Sequence, residues 1–249
     1  MVQKRRFKLN STRKIAVVTG VIFIIATVAA LLAAAVEPIL TGTDYLTKIS
    51  ANANQVATDA FFYLIAAFTS LGIAISLYPV LKGSNAGLAL GSVVFRTLEA
   101  VFYMVAVVSL LSLLTLSQQF TAAGAPDRTS LQAVGSLLLS LRDHATLLGV
   151  FAFSLGAFMY YYLFFQSRLI PRWLSGWGIV AIILMLVACL LALFSDNPVT
   201  GYTLLVIPIA LQEMVLAVWL IVKGFNPSAI ASESARTDIG GKKVSSSAA

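Results

Sequence analysis

Apolar residues fall in six long runs along the chain, separated by short stretches rich in glycine, proline, asparagine and charge. The runs cover 15–36, 56–81, 86–117, 132–165, 174–194 and 202–222. A helix rises 1.5 Å per residue, so about 20 apolar residues cross the roughly 30 Å hydrocarbon core of a bilayer. Every run is long enough, and none alternates at every second residue as a barrel strand would. The pattern predicts an all-α fold: a polytopic integral membrane bundle of six transmembrane helices. The third and fourth runs exceed what a bilayer needs, which predicts tilt or a helical hairpin standing above the surface. The breaks carry turn chemistry: Glu37-Pro38 with Thr41-Gly42, Lys82-Gly83-Ser84-Asn85, Gly124-Ala125-Pro126-Asp127, Ile170-Pro171 and Asp196-Asn197-Pro198.

Composition agrees. Of 249 residues, 59% are hydrophobic and 11% charged, and the mean hydropathy is +0.92. A soluble domain carries roughly 25% charged residues, so a soluble enzyme of ordinary composition is excluded. One cysteine, Cys189, excludes a disulfide scaffold. One histidine and one cysteine cannot by themselves build a zinc or haem site, and no glycine-rich phosphate loop or H-E-x-x-H motif is present. We therefore expect no metal, no cofactor and no catalytic residue.

The net charge of +7 changes the picture through its placement. Lys4, Arg5, Arg6, Lys8, Arg13 and Lys14 precede the first run, and Lys82, Arg168, Arg172, Lys223, Arg236, Lys242 and Lys243 fall on the same side if the runs alternate. Only Lys48 and Arg128 fall on the other side. Basic residues collect on the cytoplasmic side, so both termini are expected there, in a multi-pass protein of the cell membrane. The expected partner is the lipid bilayer rather than nucleic acid, because aromatic and basic residues do not interleave. The chain then divides into a basic cytoplasmic segment (1–14), a transmembrane domain (15–225) and a disordered cytoplasmic tail (226–249). Ala33-Ala34-Ala35 resembles a signal-peptide cleavage site. The preceding run is longer than the 7–15 residues of such signals, so an uncleaved first span is expected.

Ionisable groups inside a bilayer cost about 2.5–3.5 kcal/mol each on insertion scales, which makes them the first candidates for function. Ser92, Arg96, Glu99 and Tyr103 share one face of the third span, and Arg96 can pair with Glu99 along the helix. Gln212 and Glu213 lie at similar depth in the sixth span. These four, Arg96, Glu99, Gln212 and Glu213, form the expected ligand site, with two carboxylates around one guanidinium. The bland alternative is a satisfied ion pair that only locks helices together. A second, outer cluster is expected from Asp59, Arg142, Asp143 and His144, with Asp59 and Arg142 as partners and His144 able to change charge near neutrality. Arg142 reaches the depth of Arg96 only if the helix breaks, with Gly149 and Gly156 as the candidate positions. Pro208 interrupts the last span beside Gln212. Gly72 with Ser76, and Gly83, Gly87 and Gly91, suit close helix approach. Arg168 to Trp173, and Tyr160, Tyr161 and Tyr162, read as an interfacial band.

The segments 86–91 with Phe95 to Glu99, Leu139 to Gly149, Arg168 to Gly178 and Leu211 to Phe225 resemble the bacterial membrane proteins of domain of unknown function 4386. The resemblance covers roughly Arg13 to Phe225. It implies a prokaryotic six-helix membrane protein, and it supplies no activity. Its characteristic polar residues match at Arg96, Glu99, Arg142, Asp143, Gln212 and Glu213. The function expected is the binding or transport of a small molecule or ion. The rivals are a non-transporting partner or sensor, and an intramembrane lipid-modifying enzyme.

Overall fold

The computed structural model describes residues 2–123, 125–195 and 197–231. Their regular structure is helical throughout, with no strand among the described residues. Helix α1 (Val2–Ala33) runs on into a 3-10 turn (Ala34–Ile39) and is followed by the short α2 (Tyr45–Ala51). Then come α3 (Ala53–Leu81), α4 (Ala86–Ala122), α5 (Ala125–Ser167) and α6 (Arg172–Leu193). A 3-10 turn (Val199–Tyr202) leads into α7 (Thr203–Val222). Six helices, α1 and α3 to α7, are long and apolar enough to cross a membrane. The breaks have local causes. The Asn85 side chain accepts from the Leu88 N–H and caps α4. Pro171 precedes α6, and Gly224, in the left-handed region at φ 73°, follows the end of α7.

The six spans form a closed ring in chain order. Each packs on the next, and α7 returns to α1. Short connections explain the neighbours from α3 to α7, because consecutive antiparallel helices joined by a few residues pack together, while α1 reaches α3 through the longer segment 34–52 that carries α2. Small residues set the seams. A Cβ on Gly20 of α1 would lie 2.7 Å from the Ala217 carbonyl oxygen of α7, so the ring closes on bare backbone. The hydroxyls of Thr19 and Ser76 meet at 2.7 Å across α1 and α3. Gly91 receives Met159 between α4 and α5, and Gly178 receives the Tyr161 ring between α6 and α5.

We call the end where α1 begins basal and the other end distal. A basal apolar cluster, with Phe23, Tyr160, Tyr161, Phe164, Leu174 and Leu220, fills the ring. A distal cluster seats α2 against α3 and α4 through Leu46, Ile49, Val56, Leu110 and Leu113. At 37 and 43 residues, α4 and α5 are about 55 and 65 Å long. Both outrun a bilayer and extend beyond the runs 86–117 and 132–165.

Helix α5 is continuous through Gly149 and Gly156, so Arg142 stays at the distal end, above the level of Arg96. Two other expectations change. Tyr160 and Tyr161 are fully buried in the ring, leaving only Tyr162 of that trio at the surface. Disorder does not begin at Asn226. Its N–H donates to the Leu169 carbonyl at 2.8 Å, residues 227–231 form a helical turn, and Ile230 is buried. The rest of the expected tail, 232–249, lies outside the described residues.

Candidate functional site

A cavity of about 640 Å³ occupies the distal half of the ring, and all six spans line it. At its base stand Arg96 and Glu99 of α4, Ser70 of α3, Thr27 of α1 and Glu213 of α7. At its mouth stand Glu37, Arg142, Asp143 and His144. The walls between them are mainly apolar, including Leu147, Phe153, Met185 and Ile209.

Arg96 is 1% exposed and Glu99 2%. Arg96 Nη1 lies 3.2 Å from Glu99 Oε2, the i,i+3 contact expected along α4. Its angles do not make a hydrogen bond, so the attraction is electrostatic. Ser70 ties the two together: its hydroxyl donates to Glu99 Oε1 at 2.7 Å, and its carbonyl accepts from Arg96 Nε at 3.3 Å. The guanidinium lies over the Phe153 ring, 4.6 Å from the centroid. Gly156 makes room for it, since a Cβ there would sit 3.1 Å from Arg96 Cγ. Likewise, Gly149 admits the Tyr103 ring.

Glu213 faces this pair from across the ring, because α4 and α7 are not neighbours in it. Its Oε2 accepts from the Thr27 hydroxyl at 3.4 Å. Its Oε1 is buried and makes no hydrogen bond of good geometry among the described residues, while the Tyr160 hydroxyl and the Arg96 guanidinium act on the carboxylate from nearby. Gln212 points elsewhere: it accepts from the Tyr161 hydroxyl and donates to the Leu174 carbonyl at 3.1 Å, holding α7 to α5 and α6.

At the mouth, Arg142 donates through Nη2 to Glu37 Oε1 and through Nη1 to Asp143 Oδ1 at 2.9 Å. The His144 ring bonds within its own helix, with Nδ1 2.7 Å from the Ser140 carbonyl oxygen. Tyr45 of α2 also lines the mouth, and burial raises its phenol above the ordinary value, which keeps it neutral. Four carboxylates line the cavity against two guanidinium groups, so its field favours positive charge.

The expected site is therefore rearranged. Arg96, Glu99 and Glu213 share a cavity, but they are not one contact cluster. Gln212 does not line it. Asp59 is not the partner of Arg142. It is buried on α3, its Oδ2 has no hydrogen-bond partner among the described residues, and it does not line the cavity. Glu37 takes its place. Its signal in the sequence was depth, since one span's length of helix from the basal end brings it level with Arg142. Ser70 and Thr27 left no such signal.

A family model matches residues 18–224, and its description is domain of unknown function, DUF4386. Neither a curated protein nor a solved structure matches the chain.

Proposed function

The chain belongs to the DUF4386 family, and we propose that within it this protein binds a small molecule carrying positive charge and carries it across the membrane. The observation behind this reading is the Glu213 carboxylate, which stands at the base of an open cavity with one oxygen making no hydrogen bond of good geometry among the described residues. A buried carboxylate short of hydrogen bonds is costly, and a cationic ligand or a proton would offset that cost. Glu99 is already engaged by Ser70 and Arg96, which leaves Glu213 as the counter-ion for a ligand. The Arg142 group with Glu37 and Asp143 would attract the ligand at the mouth and fix its approach. The apolar walls would take its hydrocarbon part. The charge bias of the loops supports a distal mouth facing outward, with both termini cytoplasmic.

A second reading has support from the packed basal cluster, which closes the ring below the site. In that reading the protein is a receptor that binds without passage. The experiment is equilibrium dialysis of the purified protein against labelled tetraethylammonium, followed by uptake of the same cation into proteoliposomes beyond that into protein-free liposomes. Losing a desolvated charge partner should weaken binding by Glu213→Gln at least about tenfold. Unchanged binding by a folded Glu213→Gln protein refutes the site. Binding without uptake selects the receptor reading.

A further inference from the structure

We propose a second site, unconnected with the cavity, that holds the phosphate headgroup of an anionic phospholipid in a pocket at the basal end. The pocket measures about 480 Å³ and lies where the α5–α6 turn meets the end of α7. Arg168, Arg172 and Lys223 line it, with Trp219 and Asn226. No acidic side chain lines it, and no ion pair among the described residues involves any of the three cations. Here three cationic residues from two chain segments line one hollow with no acidic one among its lining, and the Arg172 guanidinium rests over the Phe165 ring at 5.3 Å.

The backbone is arranged the same way. Helix α6 begins at Arg172, so the positive end of a 22-residue helix borders the pocket. The carbonyl end of α7 would repel an anion, but it is covered. Arg13 of α1 donates to the carbonyls of Leu220 at 3.1 Å, Ile221 at 2.6 Å and Val222 at 3.3 Å. The pocket therefore presents cations and a helix N-terminus, while its one electronegative edge is neutralised.

The surroundings point to a lipid rather than free phosphate. Trp173, 57% exposed, meets Trp219 edge-on at 6.4 Å beside the pocket. The adjoining outer faces of α6 and α7 expose Val180, Val187, Val215 and Val218. A headgroup seated among Arg168, Arg172 and Lys223 would leave its acyl chains on this apolar surface, with the tryptophan pair at the level where rings and headgroups meet. Inorganic phosphate would gain nothing from that surface. Basic pockets between membrane helices suit anionic headgroups for the same electrostatic reason.

The test is native mass spectrometry of the full-length protein, released from detergent containing equal phosphatidylglycerol and phosphatidylcholine. The wild type should retain phosphatidylglycerol in preference. The triple variant Arg168→Gln, Arg172→Gln, Lys223→Gln should lose at least about tenfold of that retention. Each single Arg172→Gln or Lys223→Gln variant should lose part of it. These side chains are exposed, and size-exclusion chromatography verifies folding. Lys82 is at the same end but outside the pocket, over the Tyr78 ring, so Lys82→Gln should retain lipid as the wild type does. Equal retention of the two lipids overturns the site. So does an unaffected triple variant, a Lys82→Gln loss as large as the triple's, or displacement of phosphatidylglycerol by millimolar inorganic phosphate. None of these outcomes bears on Glu213.

Discussion

Replacing Gln212 with leucine should destabilise the bundle and leave the cavity intact, whereas Glu213→Gln should do the reverse. The two residues are adjacent, and α7 turns them to different neighbours. Gln212 is fully buried, and its two hydrogen bonds join α7 to Tyr161 of α5 and Leu174 of α6. Leucine removes both bonds and strands a fully buried tyrosine hydroxyl. Hydrogen bonds between membrane helices average about 0.6 kcal/mol, and stranding a buried polar group costs about 1–3 kcal/mol. Two lost bonds therefore cost on the order of 1–4 kcal/mol, which for a chain of this size lowers the Tm by roughly 2–16 °C. Glu213→Gln keeps the volume and an oxygen for the Thr27 hydroxyl, so the Tm should move by less than about 2 °C while cation binding falls. Thermal unfolding followed by tryptophan fluorescence, paired with tetraethylammonium dialysis on the same samples, reads both quantities. A Gln212→Leu protein that unfolds at the wild-type temperature would refute the placement of Gln212. Equal loss of binding in two equally stable variants would refute the division of labour.

Three further outcomes are expected. Gly20→Val puts a side chain against the Ala217 carbonyl oxygen, where an ideal Cβ already lies 2.7 Å away, so the α1–α7 seam should open. Fluorescence-detected size-exclusion chromatography should then show most of the folded peak gone, and an unchanged peak contradicts the closed ring. Ser70→Ala removes the 2.7 Å bond to Glu99, a charged acceptor, and should cost about 1.5–3 kcal/mol in thermal unfolding. A Tm within 1 °C of wild type, against the several degrees such a cost implies, would show that Ser70 does not hold the pair. In a Cys189→Ala background, Thr27→Cys and Ser136→Cys should react with a water-soluble methanethiosulfonate, because both positions line the cavity. Ser92→Cys, buried and off the lining, should not react. Equal protection at all three positions means that water does not enter.

The spans were legible because length and apolar content alone decide whether a helix can cross a bilayer. Their order around the ring was less so. A span shows apolar residues both to lipid and to its neighbours, so hydrophobic periodicity does not mark the inner face. The Arg96–Glu99 pair was legible from i,i+3 spacing on one helix. Which of Gln212 and Glu213 faces the centre was not, because adjacent residues differ by about 100° around the axis and both are polar. Ser70 and Thr27 were hidden for another reason. Hydroxyls are cheap in membrane helices because they can bond to their own backbone, as Thr69 does to the Ile65 carbonyl at 2.6 Å. Glu37 was read as a loop residue because Pro38 follows it. The 3-10 turn Ala34–Ile39 instead continues the helical path and brings its carboxylate to Arg142.

The ring also explains why the buried charges are not all paired with one another. Helices third and sixth around a six-membered ring lie across its centre, so Arg96 on α4 and Glu213 on α7 form no direct ion pair, with Tyr160 of α5 standing against both. If these charges served packing alone, a direct guanidinium–carboxylate contact or an apolar residue at 213 would stabilise the bundle at lower cost. Arg96 already has a compensating partner in Glu99, held by Ser70, so Glu213 is not needed to neutralise it. The carboxylate at 213 is thus the excess charge of the base, held by the Thr27 hydroxyl with Tyr160 beside it, and it opens on a void with polar groups at base and mouth and mainly apolar walls between. A void of this size with charged groups at both ends holds water or a ligand rather than vacuum. The energetic cost of leaving a carboxylate there is intelligible if its partner comes and goes.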